Sequence, residues 1–173
     1  MTEVYLSLGS NLGNRRKNLE LALLEISRLP GTRVIKTSSI YKTDPVLPSG
    51  SGPQEYYFNL AARLKTGLSP RNLLEQLLKI EGKLGRVRRR KNEPRVIDLD
   101  IIYYGRRIIR GRGLRVPHPR AAERRFVLKP FCELDPQFLD PVRKTTVTEL
   151  LKSAPPGQKI RKLPGPRRVQ SKK

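Results

Sequence analysis

Apolar residues recur along this chain with two periods, and the switches between them predict its elements. Val4 to Leu8 alternates apolar with other side chains and runs into Gly9-Ser10-Asn11-Leu12-Gly13-Asn14, a strand followed by a turn. Leu19, Ala22, Leu23, Ile26 and Leu29 then recur at three-to-four spacing, giving a helix that Pro30-Gly31 ends. A second strand spans Arg33 to Lys42, with Val34, Ile35 and Ile40 as its apolar members, and a third spans Glu55 to Lys65. Between them, Thr43 to Gln54 carries three prolines, two glycines and two serines. That is too long and irregular for a tight hairpin, so it is a functional loop or a floppy connector. Ser69 followed by Pro70 is a cap with proline at the first helical position, and opens a helix to about Leu84 with Leu74, Leu77, Leu78 and Leu84 as its stripe. Val96 to Tyr104, β-branched and aromatic between Pro94 and Gly105, reads as a fourth strand.

Strand, helix, strand, strand, helix, strand is the ferredoxin-like βαββαβ order, an α+β class with an antiparallel sheet. Both helices are expected on one face, leaving the other for ligands. Arg106 to Val116 reads as a short extended excursion, Phe131 to Asp140 as a helical turn and Val147 to Leu151 as a short helix, all forming a rim. Residues 1–155 are expected to make a single domain. Residues 156–173, with seven bases and no acid from Lys159 onward, read as a basic tail too poor in apolar surface to order itself.

Charge narrows the class of partner. Lys+Arg 37 against Asp+Glu 15 leaves +22 over 173 residues, a field that concentrates anions such as nucleotide phosphates, nucleic acid or an anionic membrane. The only cysteine, Cys132, excludes an internal disulfide and a multi-thiolate metal site. It sits among Phe131 and Leu134 as small core filling. The N-terminus enters a strand with no basic leader, and no long apolar run follows. A soluble, cytoplasmic monomer without a membrane partner is the expectation.

The chemistry concentrates between Ile80 and Gly105. Asp98 and Asp100 alternate with Ile97, Leu99 and Ile101, so the two carboxylates share one face of the strand, their Cα atoms roughly 6–7 Å apart. Like charges on one face call for a cation between them. Mg²⁺ suits, since it takes oxygen ligands and leaves other positions to water and phosphate. Arg86, Arg88, Arg89, Arg90, Lys91 and Arg95 lie just upstream, and guanidinium forks match phosphate oxygens. Taken alone, two aspartates so spaced are more often a solvated surface neutralising those arginines. Glu81, on or beside the apolar stripe of its helix, orients Arg86 or Arg95, or pairs with Lys79 or Lys83 at the surface. Tyr57 and Asn59 share a face of their strand, a ring beside an amide that both donates and accepts, which suits a flat heterocycle. A strand tyrosine is more often ordinary packing. Gly9-Ser10-Asn11 is better read as a simple turn than as a phosphate cradle, and His118, the only histidine, is fixed between Pro117 and Pro119.

Together these residues resemble a family. Gly85-Arg86-Val87-Arg88 and Pro94-Arg95-Val96-Ile97-Asp98-Leu99-Asp100-Ile101-Ile102 look like the signature of 6-hydroxymethyl-7,8-dihydropterin pyrophosphokinase, a folate-pathway enzyme. Gly9-Ser10-Asn11, Tyr57-x-Asn59, Val116-Pro117-His118 and Arg124-x-Phe126 match further landmarks. The resemblance implies transfer of pyrophosphate from ATP to the pterin hydroxymethyl group, releasing AMP. It implies two Mg²⁺ ions on Asp98 and Asp100, with Arg86 and Arg95 stabilising charge at the transferring group. It places Glu81, Arg86, Arg88, Arg95, Ile101, His118 and Arg124 at ATP. Thr43, Pro45, Val46, Tyr57, Asn59 and Phe126 fall at the pterin, beside a mobile proline-rich loop. One position departs: Glu93 stands before Pro94-Arg95 where the family commonly has glycine, which bears on loop geometry.

The rival comes from another class. The RNA-recognition motif shares the element order, and +22 suits RNA. Against it, Tyr56-Tyr57-Phe58-Asn59-Leu60 lacks the glycine-bearing stacking pattern, and Asp98 and Asp100 would stand where a phosphate backbone runs. No specific nucleic acid is therefore expected.

Overall fold

The computed structural model describes residues 1–46, 54–86 and 94–164. Arg88, Glu93 and most of the proline-rich loop lie outside them. The chain runs β1 (Thr2–Ser10), α1 (Arg15–Ser27), β2 (Thr32–Thr37), β3 (Tyr41–Thr43), β4 (Tyr57–Thr66), α2 (Pro70–Lys83), β5 (Asp98–Tyr104), a β6–β7 hairpin (Ile109–Gly111, Leu114–Val116), α3 (Arg125–Leu134), α4 (Val147–Ser153) and β8 (Ile160–Lys162). The main sheet is ordered β5-β1-β4-β3-β8, with β2 also on β4, and all its pairings are antiparallel. It is a ferredoxin-like α+β fold whose second strand is broken at Ser38–Ile40. Ile35, one of the strand's apolar members, sits at a register shift and is exposed.

Period-two alternation sorts the central strands. Val4, Leu6 and Leu8 of β1, Leu60, Ala62 and Leu64 of β4, and Leu99 and Ile101 of β5 all point to one face. There they meet Leu19, Ala22 and Ile26 of α1 and Leu73, Leu77 and Ile80 of α2. Truncating any one of these leucines to alanine would cost about 2–5 kcal/mol. The buried side of α2 is turned from the expected stripe: Leu78 is exposed while Leu73, Ile80 and Glu81 face in. Both helix starts are capped, Ser69 accepting from the Asn72 N–H as its sequence suggests and Asn14 from the Lys17 N–H.

The opposite face is only half open, which corrects the expectation of a bare ligand face. Where β1 pairs β5 the register slips between Tyr5 and Leu6, leaving Ile102 as an extra residue, so Tyr5 and Tyr103 point to the same side. They pack with Phe131 of α3 and with Phe138, ring centroids 4.6–6.5 Å apart. The tyrosine hydroxyls donate to Asp135 and Asp140 at 2.7 and 2.8 Å. This second core is sealed by α3 and α4. The helix α3 begins at Arg125, six residues before the turn expected at Phe131, and contains Pro130. Nor does the fold stop at residue 155. Tyr41, Lys42 and Thr43 pair with Lys162, Arg161 and Ile160, so β8 extends the sheet from within the segment read as a tail.

Candidate active site

The uncovered half of that face floors a cavity of about 1000 Å³. Its floor follows from strand register. Gly9 pairs with Asp98 on one side and Asn59 on the other, and Ser7 pairs with Asp100 and Ala61. Asp98, Gly9 and Asn59 thus form a row across three strands, about 10 Å end to end at the usual strand spacing. The acidic pair stands at one end of the row. Gly9 is what keeps its middle clear, since a Cβ there would lie 2.8 Å from Asn59 Oδ1. Asn59 is buried and donates through Nδ2 to Thr43 Oγ1 at 2.7 Å.

The residues expected at a pterin, Thr43, Pro45, Val46, Tyr57, Asn59 and Phe126, all line this one cavity, together with Arg95, Asp98, Asp100 and Arg124. Behind the lining, Glu81 and Arg86 form a buried relay. Glu81 accepts from the Leu99 N–H at 2.8 Å and pairs with Arg86, whose Nη1 also reaches Asp98 Oδ1 at 2.6 Å. Arg95 Nη1 contacts the other oxygen, Oδ2, at 2.9 Å. Asp98 therefore sits between two guanidiniums, one of them braced from behind by a carboxylate. Of the two readings open for Glu81, the structure realises the orienter of Arg86; Lys83 pairs instead with Glu25.

Asp100 differs from Asp98. Among the described residues its side chain has no hydrogen bond or ion pair, and burial followed by the charge of Asp98 raises its proton affinity well above the usual carboxylate range. Half-buried Arg124 faces it, with its guanidinium carbon 5.5 Å from the Phe126 ring centroid. Burial, and then the positive charge of Arg120, lower the Arg124 pKa. Burial and Arg124 likewise push His118 down to about 4, so its ring is neutral at physiological pH. His118 stands beside the lining and is tied down by its own N–H, which donates to the Ile102 carbonyl at 3.0 Å.

One expected residue falls elsewhere. Ile101 packs in the core under the helices, because residues alternating with Asp98 and Asp100 must face away from the cavity. Arg88 is outside the described residues. Sequence reasoning missed the wall made by Pro155, Pro156, Gly157 and Gln158. Gln158 Nε2 donates to the Asp44 carbonyl at 2.8 Å, tying that wall to the Thr43–Val46 rim. No local periodicity signals it, because it rests on pairing of β8 with β3.

A family model described as 7,8-dihydro-6-hydroxymethylpterin-pyrophosphokinase (HPPK) matches residues 5–136. A 2-amino-4-hydroxy-6-hydroxymethyldihydropteridine pyrophosphokinase of Haemophilus influenzae is 40% identical over 154 residues, covering 88% of this chain and 92% of that protein. The folic acid synthesis protein fol1 of Pneumocystis carinii is 44% identical over 139 residues, 80% of this chain but 18% of its own length. Among solved structures, an HPPK-DHPS in complex with substrates aligns over 88% of this chain and 43% of its own, with TM-score 0.68 at 14% identity, a likeness of fold. These matches leave the RNA-binding alternative without support. With three quarters of the sequence under one family model, and a bacterial relative alike over nearly its whole length, the chain belongs to the 7,8-dihydro-6-hydroxymethylpterin-pyrophosphokinase family.

Proposed function

We propose that this chain transfers a whole pyrophosphoryl unit from ATP to the hydroxymethyl oxygen of 6-hydroxymethyl-7,8-dihydropterin, releasing AMP, in keeping with its family's work in folate biosynthesis. The observation that carries the reading is the shared cavity floor: an acidic pair at one end of a sheet row and a buried carboxamide at the other, with a glycine between them.

At the pterin end, Tyr57 and Phe126 offer ring faces. Asn59 and Thr43 offer the fixed donors and acceptors that an aminopyrimidinone edge requires. At the phosphate end, displacement at the β-phosphorus needs attacking and leaving oxygens in line and the bridging charge neutralised. Arg86 and Arg95 are aimed there through Asp98, while Arg124 grips the nucleotide phosphates and Arg88 assists. Neutral His118 contributes a hydrogen bond and no charge. Glu81 serves ATP through Arg86, and Ile101 could contribute only backbone.

Asp98 and Asp100 fit Mg²⁺: two hard oxygen donors on one face, one of them unpaired among the described residues and held in mutual repulsion with the other. They would hold a pair of ions, which when bound would neutralise phosphate charge and ease loss of the hydroxyl proton. No helix among the described residues is long and apolar enough to cross a membrane. A cytoplasmic monomer without a nucleic-acid partner completes the proposal.

The decisive experiment incubates the purified chain with Mg²⁺, ATP and the pterin and separates the nucleotides. AMP and pterin pyrophosphate in equal amounts are expected; ADP, or no turnover, would overturn the reading. A second test addresses the floor. Gly9→Ala sets a methyl against Asn59 Oδ1 and displaces the carboxamide from Thr43. The pterin KM should rise by roughly 10-fold or more, as when a site's polar partner is lost. Titration calorimetry should show ATP affinity little changed.

A further inference from the structure

The catalytic role given to Arg95 requires a fixed backbone, yet Arg95 lies ahead of β5, outside any strand or helix. Its anchor comes from the turn after β1. Asn11 is fully buried, and its Oδ1 accepts from the Arg95 N–H at 2.7 Å. The Asn11 N–H in turn donates to the Arg95 carbonyl at 3.2 Å. One residue thus occupies both backbone groups of the arginine, as a strand partner would. The brace continues outward: Asn18 Nδ2 donates to the Val96 carbonyl at 3.2 Å, to Ser10 Oγ at 3.1 Å and to the Leu12 carbonyl at 2.9 Å.

The orientation of Asn11 is dictated by Arg95. Because Oδ1 must face the Arg95 N–H, Nδ2 is the atom left over, and it is buried without a partner among the described residues. Two orphan donors are a cost. A residue chosen only to terminate β1 has no reason to carry it.

We infer that Asn11 is a positioning residue for catalysis, setting the Arg95 guanidinium on the transferring phosphate by clamping the Arg95 backbone, with Asn18 as its outer brace. This rests on the pyrophosphokinase reading. It assigns the Gly9-Ser10-Asn11 turn a role distinct from a phosphate cradle: its side chain holds protein backbone, and the arginine meets the anion.

The test is a double-mutant cycle on AMP formation. Asn11→Ala should lower kcat by roughly 10–100-fold, the scale of a reacting group misplaced by about 1 Å, with the pterin KM within about twofold. In an Arg95→Ala background the same substitution should cost almost nothing further, because a residue acting only through Arg95 has nothing left to position. Asn11→Asp, which keeps the accepting oxygen, should recover most of the loss. If Asn11→Ala does not fold, Asn18→Ala takes its place in the cycle, with a smaller kcat loss that Arg95→Ala also absorbs. Losses that multiply independently of Arg95, a wild-type kcat in Asn11→Ala, or a change confined to KM would overturn the inference. A wild-type chain that makes no AMP would instead sink the functional reading on which it rests.

Discussion

Asp100→Asn should slow AMP formation by roughly 10²–10³-fold, the scale of removing one preorganised electrostatic partner of a reacting group, and yet raise the melting temperature of the ligand-free protein at neutral pH. Both effects have one cause. Asp100 is half-buried beside Asp98 and its side chain is unpaired among the described residues, so burial and the Asp98 charge hold its folded-state proton affinity above that of the unfolded chain. Between the two pKa values the folded state binds more protons, and stability therefore falls as pH rises through that interval. The cost is fully present above the raised pKa and vanishes below the ordinary carboxylate range. Asparagine removes it without changing shape, so the variant's advantage in thermal unfolding should be clear at about pH 8 and shrink toward about pH 4. Mg²⁺ with ATP should close the gap by stabilising the wild type far more than the variant. A variant that melts below the wild type at about pH 8, or that keeps normal turnover, would remove Asp100 from the metal-binding role.

Much of this site is written in local pattern. Alternation alone sets Asp98 and Asp100 on one face and Tyr57 with Asn59 on another, and the antiparallel order of the strands puts both faces on the same side of the sheet. The signs of the charges around Asp98 were equally legible. What local pattern could not convey was pairing across long separations. β8 adds to β3 through three residues that are basic or half-exposed, and nothing in that stretch distinguishes it from the bases beyond it. α3 was obscured by Pro130 and by the arginines at its start. Burial of Val127, Leu128, Phe131 and Leu134 against the sheet outweighs what a proline costs a short helix. In α2 the stripe was misjudged by one position, and the reason is chemical. Glu81 has to reach the Leu99 N–H and Arg86 from the inner surface of the helix, which carries Leu73 and Ile80 inward and turns Leu78 out.

That inward carboxylate supports the second large effect, on stability. Arg86→Met should destabilise the fold by about 3–5 kcal/mol, because it breaks an ion pair with the Glu81 carboxylate in a nearly dry site. The Glu81 side chain is only 3% exposed, so water cannot take over from the arginine. For a domain of this size the loss corresponds to a melting temperature lower by roughly 10 °C. The companion variant separates architecture from chemistry. Glu81→Gln combined with Arg86→Met removes both charges of that pair, and the glutamine carbonyl still accepts from the Leu99 N–H, so most of the lost stability should return. Activity should not return, since Asp98 would face the phosphates with Arg95 alone and the transferring group would lose one of its two guanidiniums. Thermal unfolding and AMP formation measured on the same three proteins decide the matter. If turnover recovers along with stability, the relay from Glu81 through Arg86 to Asp98 is scaffolding and Arg86 has no part in the reaction. If stability stays low in the double variant, the broken Glu81–Arg86 pair is not the cause, and the loss belongs to the packing of the arginine stem.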